Sequence, residues 1–293
     1  MSVFQALILG VVQGVCEFLP ISSSGHLVLL QKLFGVNEGA LSFDIIVHLG
    51  TLISICFVMR EKLAGYLRHP LGRIPKMVVL GTVPTVVIVL IFSSFFKSLF
   101  ETGLSLGIGF IFTAVLLYIA ENHRDNTQDP FQRDSIESAV SPQGAVIVGV
   151  AQGIAVIPAI SRSGSTIAGG IMSNFGRQAA IEFAFLMSIP VTLLAVAQDA
   201  LKILMSKGPE AAEAASGAAQ AAQASGAAPA AVGPLAMIVG FVASAVVGLF
   251  TARFMLTRIT KIKLTVFSIY LSALGLLILI DQLFVGAVFD KIF

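Results

Sequence analysis

Six stretches of the chain are apolar over about a membrane's depth, at roughly 43–59, 77–96, 104–120, 182–200, 235–252 and 264–285. A helix that crosses a bilayer needs about 20 such residues, so each stretch predicts a membrane-spanning helix. Two more apolar stretches, 3–34 and 143–175, are interrupted in the middle by Pro, Ser and Gly. A broken apolar segment predicts a helix–loop–helix that enters and leaves on one side of the membrane. The predicted fold is an all-α polytopic membrane protein with about six transmembrane helices and two re-entrant helix hairpins.

Composition agrees with the pattern. Of 293 residues, 56% are hydrophobic and 12% charged, against roughly 25% charged in soluble domains. The mean hydropathy is +0.94. The net charge is +2 with no polybasic block, which argues against a nucleic-acid partner. Cys16 and Cys56 both lie in apolar segments and have no metal-type spacing. The start, Met1-Ser2-Val3-Phe4, has neither a basic region nor a small-residue cleavage signal and is expected to belong to the mature fold.

The placement of positive charge orients the chain. Arg60, Lys62, Arg68, Arg73 and Lys76 put the loop at 60–76 in the cytoplasm, and Arg253, Arg258, Lys261 and Lys263 do the same for 253–263. The two loops agree only if both broken segments fail to cross. The first hairpin then enters from outside and the second from inside. The linker at 122–139 is cytoplasmic, and the Ala-rich insertion at 206–233 lies outside as a flexible or weakly helical tract.

The two broken segments also resemble each other. Gly10, Val11, Gln13, Gly14, Ser22, Ser24 and Gly25 match identical residues of the second segment at one constant offset, while Pro20 and Pro158 are one place out of register. This predicts an inverted-topology repeat, 1–121 and 140–293, with the two loops meeting near the midplane. Where the first copy has Glu17, Ser23 and His26, the second has Val156, Arg162 and Ser165. The chemistry is expected at these unequal positions.

Gln13 and Glu17, four residues apart, share a helix face. A carboxylate at membrane depth marks a function by default. Glu17 is a candidate base, or a ligand of a divalent cation with Gln13 as a second oxygen donor. Ser22 and Ser23 stand four and three residues before His26, and Ser beside His is a nucleophile–base arrangement. One of the three serines at 22–24 is explained as a helix N-cap. Arg162 needs an anion: either Glu17 or phosphate, which a guanidinium grips bidentately. Ser161, Ser163 and Thr166, at a helix start, would add donors to a phosphate. Arg177, Glu182 and Asp44 are read as interfacial or structural, and His48 as a packed histidine rather than a ligand.

The run from Gln13 to His26, Gln13-Gly14-Val15-Cys16-Glu17-Phe18-Leu19-Pro20-Ile21-Ser22-Ser23-Ser24-Gly25-His26, resembles the (Glu/Gln)-x-x-x-Glu and Ser-Ser-x-Gly-His signature of bacterial undecaprenyl-diphosphate phosphatases, the bacitracin-resistance family. Pro158-Ala159-Ile160-Ser161-Arg162-Ser163-Gly164-Ser165-Thr166 resembles the family's second signature, Pro-Gly-x-Ser-Arg-Ser-x-x-Thr. The likeness extends through Phe43-Asp44, His48-Leu49-Gly50 and Glu182-Phe183-Ala184-Phe185. Two departures stand out: Ala159 replaces the usual Gly, and Gln13 takes the neutral option at the first acidic position.

The resemblance implies hydrolysis of undecaprenyl diphosphate to the monophosphate in the bacterial inner membrane, with Mg or Ca as cofactor and a site open to the periplasmic side. It also implies recycling of the lipid carrier for wall synthesis, and resistance to bacitracin. On this reading Arg162, Ser161, Ser163, Thr166 and Ser22 hold the phosphates and a cation sits at Glu17 and Gln13. Ser23 attacks the terminal phosphorus while His26 shuttles the proton; direct attack by water activated through Glu17 or His26 is the other route. The alternative from another class is an inverted-repeat transporter or flippase of an anionic lipid or small anion. The expected partners are the isoprenyl diphosphate, the bilayer and, as a homodimer, a second copy of the chain.

Overall fold

The computed structural model describes residues 1–36, 40–102, 105–123, 135–206, 232–258 and 262–289. Among these residues there is no strand, and five helices are long and apolar enough to cross a membrane, or six with one bent pair counted as a span. The first hairpin is α1 (Val3–Cys16) and α2 (Ser23–Leu33). Next come α3 (Ala40–Val58), a short α4 (Arg60–Arg68), α5 (Arg73–Thr102) and α6 (Ser105–Asn122). After the single-turn α7 (Ile136–Ala139), the second hairpin is α8 (Pro142–Ile154) and α9 (Arg162–Met172). The chain closes with α10 (Arg177–Ser206), α11 (Pro234–Arg258) and α12 (Leu264–Ile280), which continues as a π-helical turn to Val285.

All six expected spans coincide with helices. The segment at 60–76, expected as a loop, instead carries α4, bent 76° from α3 at Met59. None of its residues is buried, while Arg60, Lys62 and Arg68 line it, so it lies across the bundle end. The Ala-rich insertion expected at 206–233 falls outside the described residues except at its edges, as does 124–134 of the linker.

Serine side chains start all four hairpin helices. Ser2 and Gln5 form a capping box on α1, and Ser141 caps α8 ahead of Pro142. Ser22 and Ser161 cap α2 and α9 by accepting from Gly25 N at 3.4 Å and Gly164 N at 3.0 Å. Each supplies an acceptor to an amide that has no partner inside its helix.

The first helix of each hairpin packs on a span distant in sequence. α1 lies on α11 and α8 on α5, while α6 and α12 pair with each other. Glycine permits the close approach in both halves: a Cβ on Gly10 would stand 2.5 Å from the Gly240 carbonyl oxygen, and one on Gly149 only 1.9 Å from that of Gly81. Small residues at such contacts let backbones approach where lipid offers no hydrophobic drive. Thr85 Oγ1 donates to the Gly149 carbonyl at 2.8 Å, and Ser54 Oγ to that of Ala245 at 2.7 Å. The outside is apolar, with Phe4, Leu90, Phe250 and Ile269 among many exposed large side chains, as lipid contact requires.

At the bundle end that carries α4, charged residues tie helices together. Arg177 donates to Glu121 and, at 2.8 Å, to the Ile262 carbonyl, while Glu121 also accepts from Leu264 N. Lys62 Nζ stands 2.6 Å from Glu182. These fit the structural reading of Arg177 and Glu182.

Candidate active site

Each hairpin turns in a short loop between its helices, 17–22 and 155–161, and the loops meet. Their backbones solve the same problem at different places. Ser22 has φ +68°, two residues after Pro20, whereas Ala159 has φ +65°, one residue after Pro158. At the offset that aligns Ser22 with Ser161, Ala159 stands opposite Pro20, so the left-handed residue shifts by two places where the prolines shift by one. Contact between the loops is direct: Ser163 Oγ donates to the Leu19 carbonyl at 2.9 Å. Ser161 N donates to Thr113 Oγ1 at 3.0 Å, which fixes the second loop on α6.

Glu17 is the centre. Arg162 Nη2 donates to its Oε1 at 3.0 Å. Its other oxygen, Oε2, accepts from Ser23 Oγ at 2.6 Å and from Gln13 Nε2 at 3.1 Å. His48 Nε2 lies 3.7 Å from the same Oε2. Glu17 is mostly buried, its side chain 12% exposed, so these contacts replace the water that the carboxylate has lost.

His26 is placed otherwise than the sequence suggested. Its Nδ1 is 2.7 Å from the Ser22 carbonyl and its Nε2 is 2.6 Å from the Tyr270 hydroxyl, with the two rings stacked at 10°. Both ring nitrogens are thereby engaged, and Ser23 is hydrogen-bonded to Glu17 instead. Nothing in the sequence flags Tyr270 as a partner 244 residues away. Asp44, read as interfacial or structural, is half-buried and accepts from Gln31 Nε2 at 2.7 Å, and its carbonyl accepts from His48 Nδ1 at 2.7 Å.

The expected phosphate ligands divide. Ser22 and Ser161 spend their hydroxyls on helix caps, and Thr166 turns its hydroxyl back to the carbonyls of Arg162 and Ser163. Arg162 faces open space, beside Ser163, whose hydroxyl is given to the Leu19 carbonyl, with Ser23 and Ser24 across from them. These residues, with Cys16, Ser22, Ile160 and Ser161, line a recess of about 250 Å³. Two helix starts, those of α2 and α9, thus border one recess, and helix N-termini favour anions. A second recess of about 370 Å³ shares Glu17, Arg162 and Ser163 and runs on along Phe18, Ala184, Phe185, Ser188 and Val191.

A cation site can be judged from the donors. Gln13 is fully buried, and its Oε1 has no hydrogen-bond partner among the described residues. Among those residues no three His, Cys, Asp or Glu side chains come together as a cage. One carboxylate and one orphaned amide oxygen fit an Mg²⁺-type ion, which takes one or two protein ligands and completes its shell with phosphate and water.

Known proteins share this chain along nearly its whole length. The family described as bacitracin resistance protein BacA matches residues 6–277. An undecaprenyl-diphosphatase of Carboxydothermus hydrogenoformans is 43% identical over 282 residues, covering 96% of this chain and 98% of the relative. Undecaprenyl-diphosphatases of Treponema denticola and Halothermothrix orenii are 36% and 33% identical, covering 94% and 96% of this chain and 96% and 98% of the relatives.

Proposed function

The chain belongs to the bacitracin resistance protein family, and from that premise we propose that the two-loop site removes the terminal phosphate of undecaprenyl diphosphate. The reaction yields undecaprenyl phosphate and inorganic phosphate, which returns the lipid carrier to wall synthesis and removes the form that bacitracin captures. The observation that carries the assignment of the site is the 2.6 Å hydrogen bond from Ser23 Oγ to Glu17 Oε2, beside Arg162 and two helix starts.

The diphosphate enters the smaller recess. Arg162 holds its oxygens with the N-termini of α2 and α9, and Ser163 joins it by turning its hydroxyl from the Leu19 carbonyl. The first isoprene units run along the larger, more apolar recess past Phe18 and Phe185, and the rest of the tail stays in lipid. Ser23 Oγ attacks the terminal phosphorus as its proton passes to Glu17. The bridging P–O bond breaks and undecaprenyl phosphate leaves, its charge met by Arg162. Water then attacks the phosphoserine, and Glu17 returns the proton to Ser23 Oγ as dihydrogen phosphate departs. Most of the acceleration comes from positioning and charge neutralisation, as in phosphoryl transfer generally. His26, held by Tyr270 and the Ser22 carbonyl, fixes the loop that carries Ser23. A divalent cation held by Glu17 and Gln13 would neutralise phosphate charge when bound.

The basic segments at 60–76 and 253–263 support an orientation with α4 on the cytoplasmic side of the inner membrane and the site open to the periplasm. The reciprocal packing of α1 on α11 and α8 on α5 supports the inverted repeat. Transporters share that architecture. The Ser23–Glu17 bond favours hydrolysis, because holding an anion requires no base on a hydroxyl.

The test is phosphate release from undecaprenyl and farnesyl diphosphates by purified protein in detergent, with Mg²⁺, Ca²⁺ or EDTA, beside Ser23→Ala and Arg162→Ala. Cation-dependent release lost in both variants supports the reading. Tight binding of the diphosphate with no release under any cation leaves the transporter.

A further inference from the structure

His48 stands against the catalytic carboxylate with no role in the proposed hydrolysis. Arg162 and His48 address different oxygens of Glu17: the guanidinium takes Oε1, and the imidazole Nε2 faces Oε2 at 3.7 Å. That separation is too long for a nitrogen–oxygen hydrogen bond, about 2.7–3.2 Å. Two donors on one ion, with bonds of about 2.1 Å, lie about 3.0–3.4 Å apart at octahedral or tetrahedral angles, so a small rotation of the imidazole brings Nε2 and Oε2 to that span.

The other side of the ring points the same way. His48 Nδ1 is 2.7 Å from the carbonyl oxygen of Asp44, one turn earlier on α3. An imidazole that binds a metal typically donates its second nitrogen to a carbonyl or carboxylate, which fixes the ring and presents the first nitrogen to the ion. The Asp44 side chain is itself held by Gln31 at 2.7 Å. A separate observation comes from α1: the buried Gln13 amide donates Nε2 to Glu17 Oε2 at 3.1 Å, and among the described residues its Oε1 has no hydrogen-bond partner, which leaves that oxygen for an ion. The His48 imidazole and the Gln13 amide, from two helices, thus flank one carboxylate oxygen, beside the Ser23 hydroxyl.

We propose that His48 Nε2, Glu17 Oε2 and Gln13 Oε1 together hold the divalent cation of this site, and that the imidazole turns its preference from Ca²⁺ toward Mn²⁺. The inference rests on the phosphatase reading for its expectation of a cation. Imidazole is a poor ligand for Ca²⁺ and Mg²⁺, which select oxygen, and a good one for transition ions. Where the first acidic position of the signature holds neutral Gln13, a nitrogen ligand restores affinity without a second carboxylate.

The experiment is pulsed electron paramagnetic resonance on the full chain in detergent, loaded with Mn²⁺. The expected result is modulation from one directly bound ¹⁴N, replaced by the ¹⁵N pattern on uniform labelling, absent in His48→Leu and retained in His26→Gln. His48→Gln keeps the side chain's polarity and bulk; there Mn²⁺ affinity falls by about tenfold or more with the melting temperature held. Bound Mn²⁺ without nitrogen modulation, modulation that survives in His48→Leu, or no bound Mn²⁺ overturns the proposal. Phosphate release from farnesyl diphosphate on the same preparation separates the two readings. Release without nitrogen modulation discards His48 as a ligand and leaves the phosphatase. Modulation without release under any cation leaves the metal site and discards the phosphatase.

Discussion

Ser23 Oγ donates to Glu17 Oε2 at 2.6 Å, while His26 commits both ring nitrogens to Ser22 and Tyr270. The hydroxyl that the sequence paired with an imidazole is thus paired with a carboxylate. Loss of the nucleophile and loss of its base should therefore differ in kind. Ser23→Ala is expected to abolish any phosphoserine and to lower kcat by about 10³-fold or more; Glu17→Gln, which keeps the nucleophile, by about 10²–10⁴-fold. Acid-quenched single turnovers read by mass spectrometry at Ser23 check this. Wild-type phosphate release without a phosphopeptide, undiminished in Ser23→Ala, would leave direct attack by water.

Tyr270 tests the place of His26. Tyr270→Phe keeps the ring stacked on the imidazole and removes one hydrogen bond. It should cost about 1 kcal/mol of stability and leave kcat nearly unchanged, if His26 holds the loop rather than carries the proton. Thermal unfolding in detergent and kcat on one preparation decide it. A drop in kcat of about tenfold, 1.4 kcal/mol of barrier, at an unchanged melting temperature would put His26 in the proton path.

The hairpins were legible because their signals are local. Pro20 and Pro158 break apolar runs, and Ser22 and Ser161 cap the second helix of each hairpin at fixed spacing. Arg162 and Glu17 were also legible as a pair, since a buried cation calls for an anion and few exist at that depth. The Tyr270 contact was not, because a lone Tyr on an apolar helix carries no periodic or spacing signal, and its partner is fixed by how α12 meets α2. The approach of His48 to Glu17 is not legible for the same reason: it depends on how α3 lies against α1. The bend at Met59 is not legible in the sequence, because five basic residues signal only a side of the membrane, whereas Lys62's reach to Glu182 depends on α10.

The Arg162–Glu17 pair should show strong coupling in stability. Either partner removed alone leaves the other charge partly buried, a costly state, whereas removal of both does not. Arg162→Leu and Glu17→Leu are each expected to destabilise, and the double variant to recover part of the loss, with a coupling of about 1–3 kcal/mol. A cycle of unfolding midpoints measures it; additive losses would mean the pair is too well solvated to matter, Arg162 being 27% exposed.

Gly149→Ala and Gly10→Ala probe the repeated helix contacts. The added methyl would meet a backbone carbonyl in both cases, at 1.9 Å and 2.5 Å, so helices must part. Losses of about 1–3 kcal/mol are expected for each, larger at Gly149, where the Thr85 hydrogen bond to its carbonyl is also disturbed. Gly65, with open space around it, is the control: Gly65→Ala lies in α4 and should stabilise by about 1 kcal/mol through helix propensity.

Ala159 isolates the cost of the second loop's turn. It is fully buried at φ +65°, a region that costs a non-glycine residue about 1–2 kcal/mol. Ala159→Gly relieves that strain. It also gives up a buried methyl, about 0.8 kcal/mol, and gains freedom in the unfolded chain, about 0.5–1 kcal/mol. The sum is close to zero. Ala168, equally buried but inside α9, loses the same methyl on Ala168→Gly and adds a helix penalty of about 1 kcal/mol with no strain to relieve. The two substitutions should therefore differ by about 1–2 kcal/mol, read as the gap between their unfolding midpoints. Equal losses would show that the surrounding loop, pinned by Thr113 and Leu19, absorbs the left-handed residue without strain.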